Sequence, residues 1–374
     1  MWGLDNVARA VAICHPDSID AIEGGGTIAL EGVDVTCGIV RTRKPEGPLP
    51  AGHALVRVRA FSCNYRDKAL ILAMAKRGRP RKFFVVGSEF VADVLGVAAG
   101  VTHIAVGDRV IGNGSYPKAD APDAHAGVPT DHGSRELQVL HAAKLIRIPA
   151  NMHDEAAAAF PIAAQTTYAM IRRLSLAPGA HVLVTAARSN TSLFALAALG
   201  QCDATVYALT SAPGWDDRLR DAGADVVVVL PRTETRFASV PSVAAVVEER
   251  GGFDAVIDPF SDLYLGPAVD VLAIGGRYIT CGVYDQFTFL TGGSPLPQPL
   301  ARRSVLTSMI MKNLTVMGNC IGASDDLRRA LDDHHAGRLP VTVDSVYRGG
   351  NVASFFDRTY NASDRFGKVV YAYD

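Results

Sequence analysis

Six short, uninterrupted apolar runs, "HVLVTA", "TVYALT", "DVVVVL", "DAVIDP", "RYITCG" and "LTVMGN", recur between helical stretches in the second part of the chain. A strand that is apolar at nearly every position is buried on both faces. Parallel sheets with helices on either side bury strands in that way, so this part is predicted to be a doubly wound parallel α/β sheet.

The first part reads differently. Up to Asn151, short alternating strands such as "HALVRVRAF", "EFVADVLGV" and "GDRVIGNG" are broken by Gly and Pro, the pattern of an all-β module with irregular loops. At 374 residues the chain is too long for one ordinary core and fits two domains. The helix "SDDLRRALDDHHAG" is followed by an extended tail ending "FGKVVYAYD", which is expected to return to the first module. The expected division is 1–151 with 321–374, against 152–320.

A net charge of −1 gives no general attraction to nucleic acid or to acidic membranes. No apolar run approaches the ~20 residues that span a bilayer, and "MWGLDNVARA" lacks the pattern of a secretion signal. The six cysteines are dispersed, without CxxC or CxxH pairs, so a reducing, cytoplasmic setting is expected.

The stretches "PLPAGHALVRVRAFSCNYRDKAL", "VGSEFVADVLGVAAGVTHIAVGDRV", "AAFPIAAQTTYAMI", "LAPGAHVLVTAA", "LRDAGAD", "IGGRYITCG" and "RFGKVVYAYD" together resemble the medium-chain dehydrogenase/reductase superfamily over essentially the whole chain. The resemblance implies a GroES-like β domain, a Rossmann nucleotide-binding domain and a substrate cleft between them. In zinc-dependent members a C-x-x-D run, a G-H-E run and a residue before the next helix supply metal ligands. Those places hold Asn64, Ser88 and, within a residue, Ile162. Amide, hydroxyl and alkyl groups do not replace thiolate and imidazole on zinc, and Asn113 to Gly133 lacks the cysteines of a structural zinc lobe. No metal is expected.

Among zinc-free branches, "NYRDKALIL" looks most like enoyl reductase domains and acryloyl-CoA reductases, and quinone oxidoreductases share its Asn and Asp. The implied chemistry is hydride delivery to the β-carbon of a carbonyl-conjugated alkene. Asn64, Tyr65, Asp67 and Lys68 are the candidate catalytic residues: an amide or phenol for substrate or nicotinamide ribose, an orienting carboxylate, and a proton donor or carbonyl partner. The competing reading is that Asn64 and Asp67 only cap a helix. Cys63 is expected to face elsewhere.

The turn after the first Rossmann strand has no glycine. Where relatives show A-x-x-G-G-x-G, this chain has Ala186, Ala187, Arg188, Ser189, Asn190, Thr191 and Ser192. Serine hydroxyls can donate to phosphate, Arg188 adds charge, and a helix N-terminus favours anions. The alternative is a decayed site in a catalytically silent binding or partner module. No Asp or Glu ends the second strand, which disfavours NAD. NADPH is the expected cofactor, with Thr210 and Ser211 near its 2′-phosphate, Trp215 available to stack, and Arg188, Arg218 or Arg232 as charge partners. The resemblance also assigns Thr166, Cys281, Gly282 and Lys368 to cofactor binding.

Finally, "AKRGRPRKFF" places Lys76, Arg77, Arg79, Arg81 and Lys82 in one loop. Such a loop is either simply solvated or a dock for an anionic carrier of a small-molecule enoyl group. A homodimer is left open.

Overall fold

The computed structural model describes residues 7–231, 234–285 and 302–373, and the chain divides into two compact units, described separately below. In the first, β1 (Val7–Cys14), β2 (Glu23–Leu30) and β3 (Val33–Arg43) are followed by β4 (His53–Ser62), helix α1 (Tyr65–Arg77), β5 (Phe83–Val85) and β6 (Glu89–Val97). Then come β7 (Arg109–Gly112), β8 (Leu137–His141), β9 (Leu145–Arg147) and the short helix α2 (Asp154–Ala158). Period-2 patterning is plain in β4, where Ala54, Val56, Val58 and Ala60 are buried and Arg57 and Arg59 face out.

The loop from Asn113 to Gly133 is tied down by one lysine. Buried Lys144 donates to the Gly127 carbonyl at 2.6 Å and to Ser115 Oγ at 3.2 Å. Desolvation pulls its ammonium down to about 8.

The second unit opens within α3 (Pro161–Leu174), which starts on a proline that costs no helical hydrogen bond there. It continues through β10 (Ala180–Val184), α4 (Asn190–Leu199), β11 (Ala204–Thr210), α5 (Asp216–Asp221), β12 (Val226–Val229) and α6 (Pro241–Arg250). After these come β13 (Phe253–Asp258), α7 (Ser261–Val271), β14 (Leu272–Thr280), α8 (Arg302–Met311), β15 (Thr315–Gly318) and α9 (Ser324–His335). The strands pair in parallel in the order β12-β11-β10-β13-β14-β15. This is the doubly wound order that reverses between the first and fourth strands, and ligands of such sheets bind at the carboxyl ends beside that reversal. The apolar runs behave as read: Val182, Leu183, Val184, Ala255, Val256 and Ile257 are fully buried.

The chain then returns to the first unit through β16 (Val343–Tyr347), α10 (Val352–Tyr360) and β17 (Lys368–Ala372), which pairs antiparallel with β4. A sheet in the order β16-β17-β4-β6-β7-β9 results. The units divide after Ile162 and again before Thr342, rather than at Asn151 and Ile321. The physical reason is packing: α2 lies on β4 and β6, while α9 is bound to α3 by Arg172 and Asp326, paired twice at 2.8 Å. Among the described residues no helix is long and apolar enough to cross a membrane.

Candidate active site

Strand register builds the first cluster. β17 runs against β4 with Val370 opposite Ser62 and Tyr371 opposite Phe61, so the same register carried two residues further sets Lys368 opposite Asn64. On the other side of β4, Ser62 pairs with Glu89. Just before Glu89, Gly87 has φ 101°, and a Cβ there would lie 3.2 Å from the Ser134 backbone nitrogen, so only glycine lets the chain turn Ser88 inward without strain.

Asn64 sits at the N-cap of α1, and its backbone N–H donates to Asp67 Oδ2 at 2.7 Å, as in a capping box. Its side chain, however, is turned to the cluster. Nδ2 donates to Glu89 Oε1 at 3.0 Å and to Ser88 Oγ at 3.3 Å, and Oδ1 accepts from Lys368 Nζ at 2.5 Å. Ser88 donates to Asp67 at 2.6 Å, Lys368 pairs closely with Glu89, and the Ile162 N–H donates to Glu89 Oε2 at 3.0 Å. Ser62 Oγ lies 2.9 Å from Glu89 and 2.7 Å from the Ala158 carbonyl. Lys368 is 3% exposed, Glu89 1% and Asp67 2%. Burial pushes the Asp67 carboxyl up, partly offset by Arg66 and by the Ser88 hydroxyl.

The candidates are thus sorted. Asn64, Asp67, Ser88 and Ile162 come together, and Lys368, expected on the cofactor, lies among them. Lys68 turns its side chain another way: its ammonium is 2.6 Å from Glu31 and over the Tyr65 ring. Tyr65 meets Tyr360 edge to face. Cys63, expected to face elsewhere, is buried near Asp67, Lys368 and Glu89, with its thiol pushed up chiefly by desolvation. The sequence reading missed Glu89, whose signal was an acid directly after Ser88 at the head of an apolar strand. Among the described residues no group of three or more His, Cys, Asp or Glu side chains is placed to hold a metal ion.

In the second unit the glycine-free turn closes on itself. Ser189 caps α4 by accepting the Ser192 N–H, donates to Ser192 Oγ at 3.0 Å, and Ser192 in turn donates to the Thr185 carbonyl at 2.7 Å. Both hydroxyls therefore bond within the turn. Ala186 takes φ 45°, and the Ala187 N–H is bound to the Leu209 carbonyl. What this end of the sheet offers an anion is the N-terminus of α4, where Asn190 and Thr191 begin the helix, and charge. The guanidinium groups of Arg188 and Arg218 both lie over the Trp215 ring, at 4.9 and 5.3 Å from its centre. Arg232 lies outside the described residues.

Thr210 is buried and bonds to the Ala212 carbonyl at 3.4 Å, and Ser211 is partly exposed beside it. Thr166 is buried. Gly282 is required by close packing, since a Cβ there would come 2.9 Å from the Pro259 carbonyl oxygen. Burial pushes the neighbouring Cys281 thiol up to about 12.

At the reversal of strand order, Asp258 ends β13 fully buried. It accepts from Thr185 at 2.6 Å, Tyr278 at 2.5 Å and the Phe260 N–H at 2.9 Å. Desolvation outweighs these bonds and raises the carboxyl from 3.8 to about 6. Between those values the folded chain keeps a proton that the unfolded chain has released, so stability falls as pH rises through the window, by up to about 3 kcal/mol. Denaturant unfolding from pH 4 to 7 is expected to show this fall, and Asp258→Asn to flatten it; an unchanged slope in the variant would assign the dependence to another group.

The geometry defines a two-unit protein with a β-rich unit and a Rossmann-type sheet. Residues 50–150 match the alcohol dehydrogenase GroES-like domain family. The thermostable alcohol dehydrogenase of Pyrobaculum aerophilum, solved with cobalt and zinc bound, superposes with a TM-score of 0.73 at 25% identity, covering 98% of this chain and 99% of that one. The acryloyl-coenzyme A reductase of Metallosphaera sedula is 26% identical over 321 residues, 82% of this chain and 88% of the reductase. The polyketide synthase GfsB of Streptomyces halstedii is 32% identical over 240 residues, 64% of this chain but 4% of that synthase. Together these matches support the medium-chain dehydrogenase/reductase superfamily, and the relatives that align over most of this chain are an alcohol dehydrogenase and a reductase.

Proposed function

We infer that this chain is a zinc-independent, NADPH-dependent reductase of a carbon–carbon double bond conjugated to a carbonyl. The observation that carries the reading is the Asn64 cluster: the positions of metal ligands are filled by an amide, a hydroxyl and a backbone N–H, knit around a Lys368–Glu89 ion pair. Similarity to an acryloyl-coenzyme A reductase over most of both chains supports the substrate class.

When bound, NADPH supplies the hydride. The N-terminus of α4 and Arg188 would hold its phosphates, Arg218 and Trp215 its adenosine end, and Thr166 its nicotinamide end. Asn64, locked by its neighbours, would orient the reacting groups. The Ser189–Ser192 closure favours a second reading, a catalytically silent binding module, because it withdraws two donors from any phosphate.

One panel separates the readings. Thioester, peptide-borne and free enones should oxidise NADPH, in protein that carries no stoichiometric zinc by elemental analysis. Oxidation with quinones alone would make it a quinone oxidoreductase, and none at all with no dinucleotide binding would leave the silent module.

Cofactor choice gives a further expected result. NADPH at ~100 times its dissociation constant should stabilise the fold by roughly 2.7 kcal/mol, and NADH by less at the same concentration. Arg188→Ala should weaken NADPH binding without lowering the melting temperature of the free protein. Equal shifts with both dinucleotides would remove the 2′-phosphate from the account.

Lys76, Arg77, Arg79, Arg81 and Lys82 are all exposed at the end of α1, a surface suited to an acidic carrier of the enoyl group. Neutralising all five should raise the KM for carrier-linked substrate and spare a short neutral enone; equal KM values would discard the carrier.

A further inference from the structure

Lys368 is a buried cation whose partners decide how Asn64 can act. A side-chain amide has two ends of nearly equal shape and opposite polarity. Here Oδ1 meets the Lys368 ammonium and Nδ2 meets the Glu89 carboxylate. Rotating the amide by half a turn would set NH2 against ammonium and C=O against carboxylate, two repulsive contacts in a buried setting where charges interact strongly. The ion pair therefore admits one orientation. Nδ2 is committed to Glu89 and Ser88, so the partly exposed amide can offer its environment only the remaining lone pair of Oδ1.

We propose that Lys368 is a positioning residue: with Glu89 it fixes Asn64 as a hydrogen-bond acceptor toward the bound reactants, taking a donor such as a ribose hydroxyl and not a carbonyl oxygen. This rests on the reductase reading above, and it reassigns Lys368 from direct cofactor contact to action through Asn64.

The test combines a kinetic split with a readout that needs no activity. In Lys368→Met, kcat on a short neutral enone is expected to fall about 100-fold, the scale of a small misplacement of reacting groups. Its KM and the NADPH dissociation constant should stay within about threefold, since neither contact is direct. The double variant Asn64→Ala/Lys368→Met should be no slower than Asn64→Ala, because one effect passes through the other. In ¹⁵N-asparagine-labelled protein, the side-chain amide protons of Asn64, identified by their loss in Asn64→Ala, should exchange with solvent at least about tenfold faster in Lys368→Met.

A folded Lys368→Met with wild-type kcat, multiplicative losses in the double variant, or unchanged amide exchange would each overturn the proposal. If Lys368→Met does not fold, Glu89→Leu/Lys368→Met removes both charges together and should show the same kcat loss and faster exchange; wild-type values there would equally overturn it. A wild-type protein that reduces no enone defeats the reductase reading instead, and the exchange rates still decide the orientation.

Discussion

Glu89→Ala is expected to destabilise the fold by about 3–5 kcal/mol, because it strands a buried ammonium. Lys368 pairs with Glu89 and is 3% exposed, so without the carboxylate its charge keeps the Asn64 carbonyl as its one hydrogen-bond partner among the described residues. The same substitution takes an acceptor from the Asn64 amide and from the Ile162 N–H. Replacing the pair together, Glu89→Leu with Lys368→Met, should recover much of the loss, since apolar side chains of similar size avoid the desolvation cost that breaking one half exposes. Denaturant unfolding of the two variants checks this. A loss under about 1 kcal/mol for Glu89→Ala would mean that water reaches the pair and screens it.

The second large effect is catalytic. Asn64→Ala should lower kcat for enone reduction about 100-fold while the fold persists, because the amide orients reacting groups and fills no core. The ion pair behind it survives the change, so the melting temperature should fall by only a few degrees, in keeping with the about 1 kcal/mol usual for lost hydrogen bonds. Steady-state kinetics with the melting curve separates the two quantities. Wild-type turnover in Asn64→Ala would remove this residue from the site.

Why some of this was legible in the sequence and some was not follows from the range of the interactions. Strands such as β10 and β13 carry their burial in their own residues, so the parallel sheet follows from local pattern, and "NYRD" announces a capped helix start by spacing alone. Lys368 and Glu89 meet Asn64 only because β17 and β6 flank β4 in a particular register, and nothing local to "FGKVV" or "GSEF" encodes that pairing. The serines of the turn illustrate a different limit. A hydroxyl that can bond a phosphate can equally bond the nearest backbone, and Ser189 and Ser192 take the local partners. Asp258, an acid ending an apolar strand, takes its meaning from Thr185, just past the end of β10, and from Tyr278 of β14, neither of them local to it in sequence.

The central claim is hydride addition to an activated alkene, and the isotopic fate of that hydride tests it most directly. With NADPH deuterated at C4 on the transferred face, reduction of an enone should place deuterium at the β-carbon of the product, and reaction in D2O should place solvent deuterium at the α-carbon, because the electron-poor carbon takes hydride and the enolate takes a proton. Deuterium at the carbonyl carbon, giving an alcohol with the double bond intact, would contradict the account and return this chain to alcohol dehydrogenase chemistry.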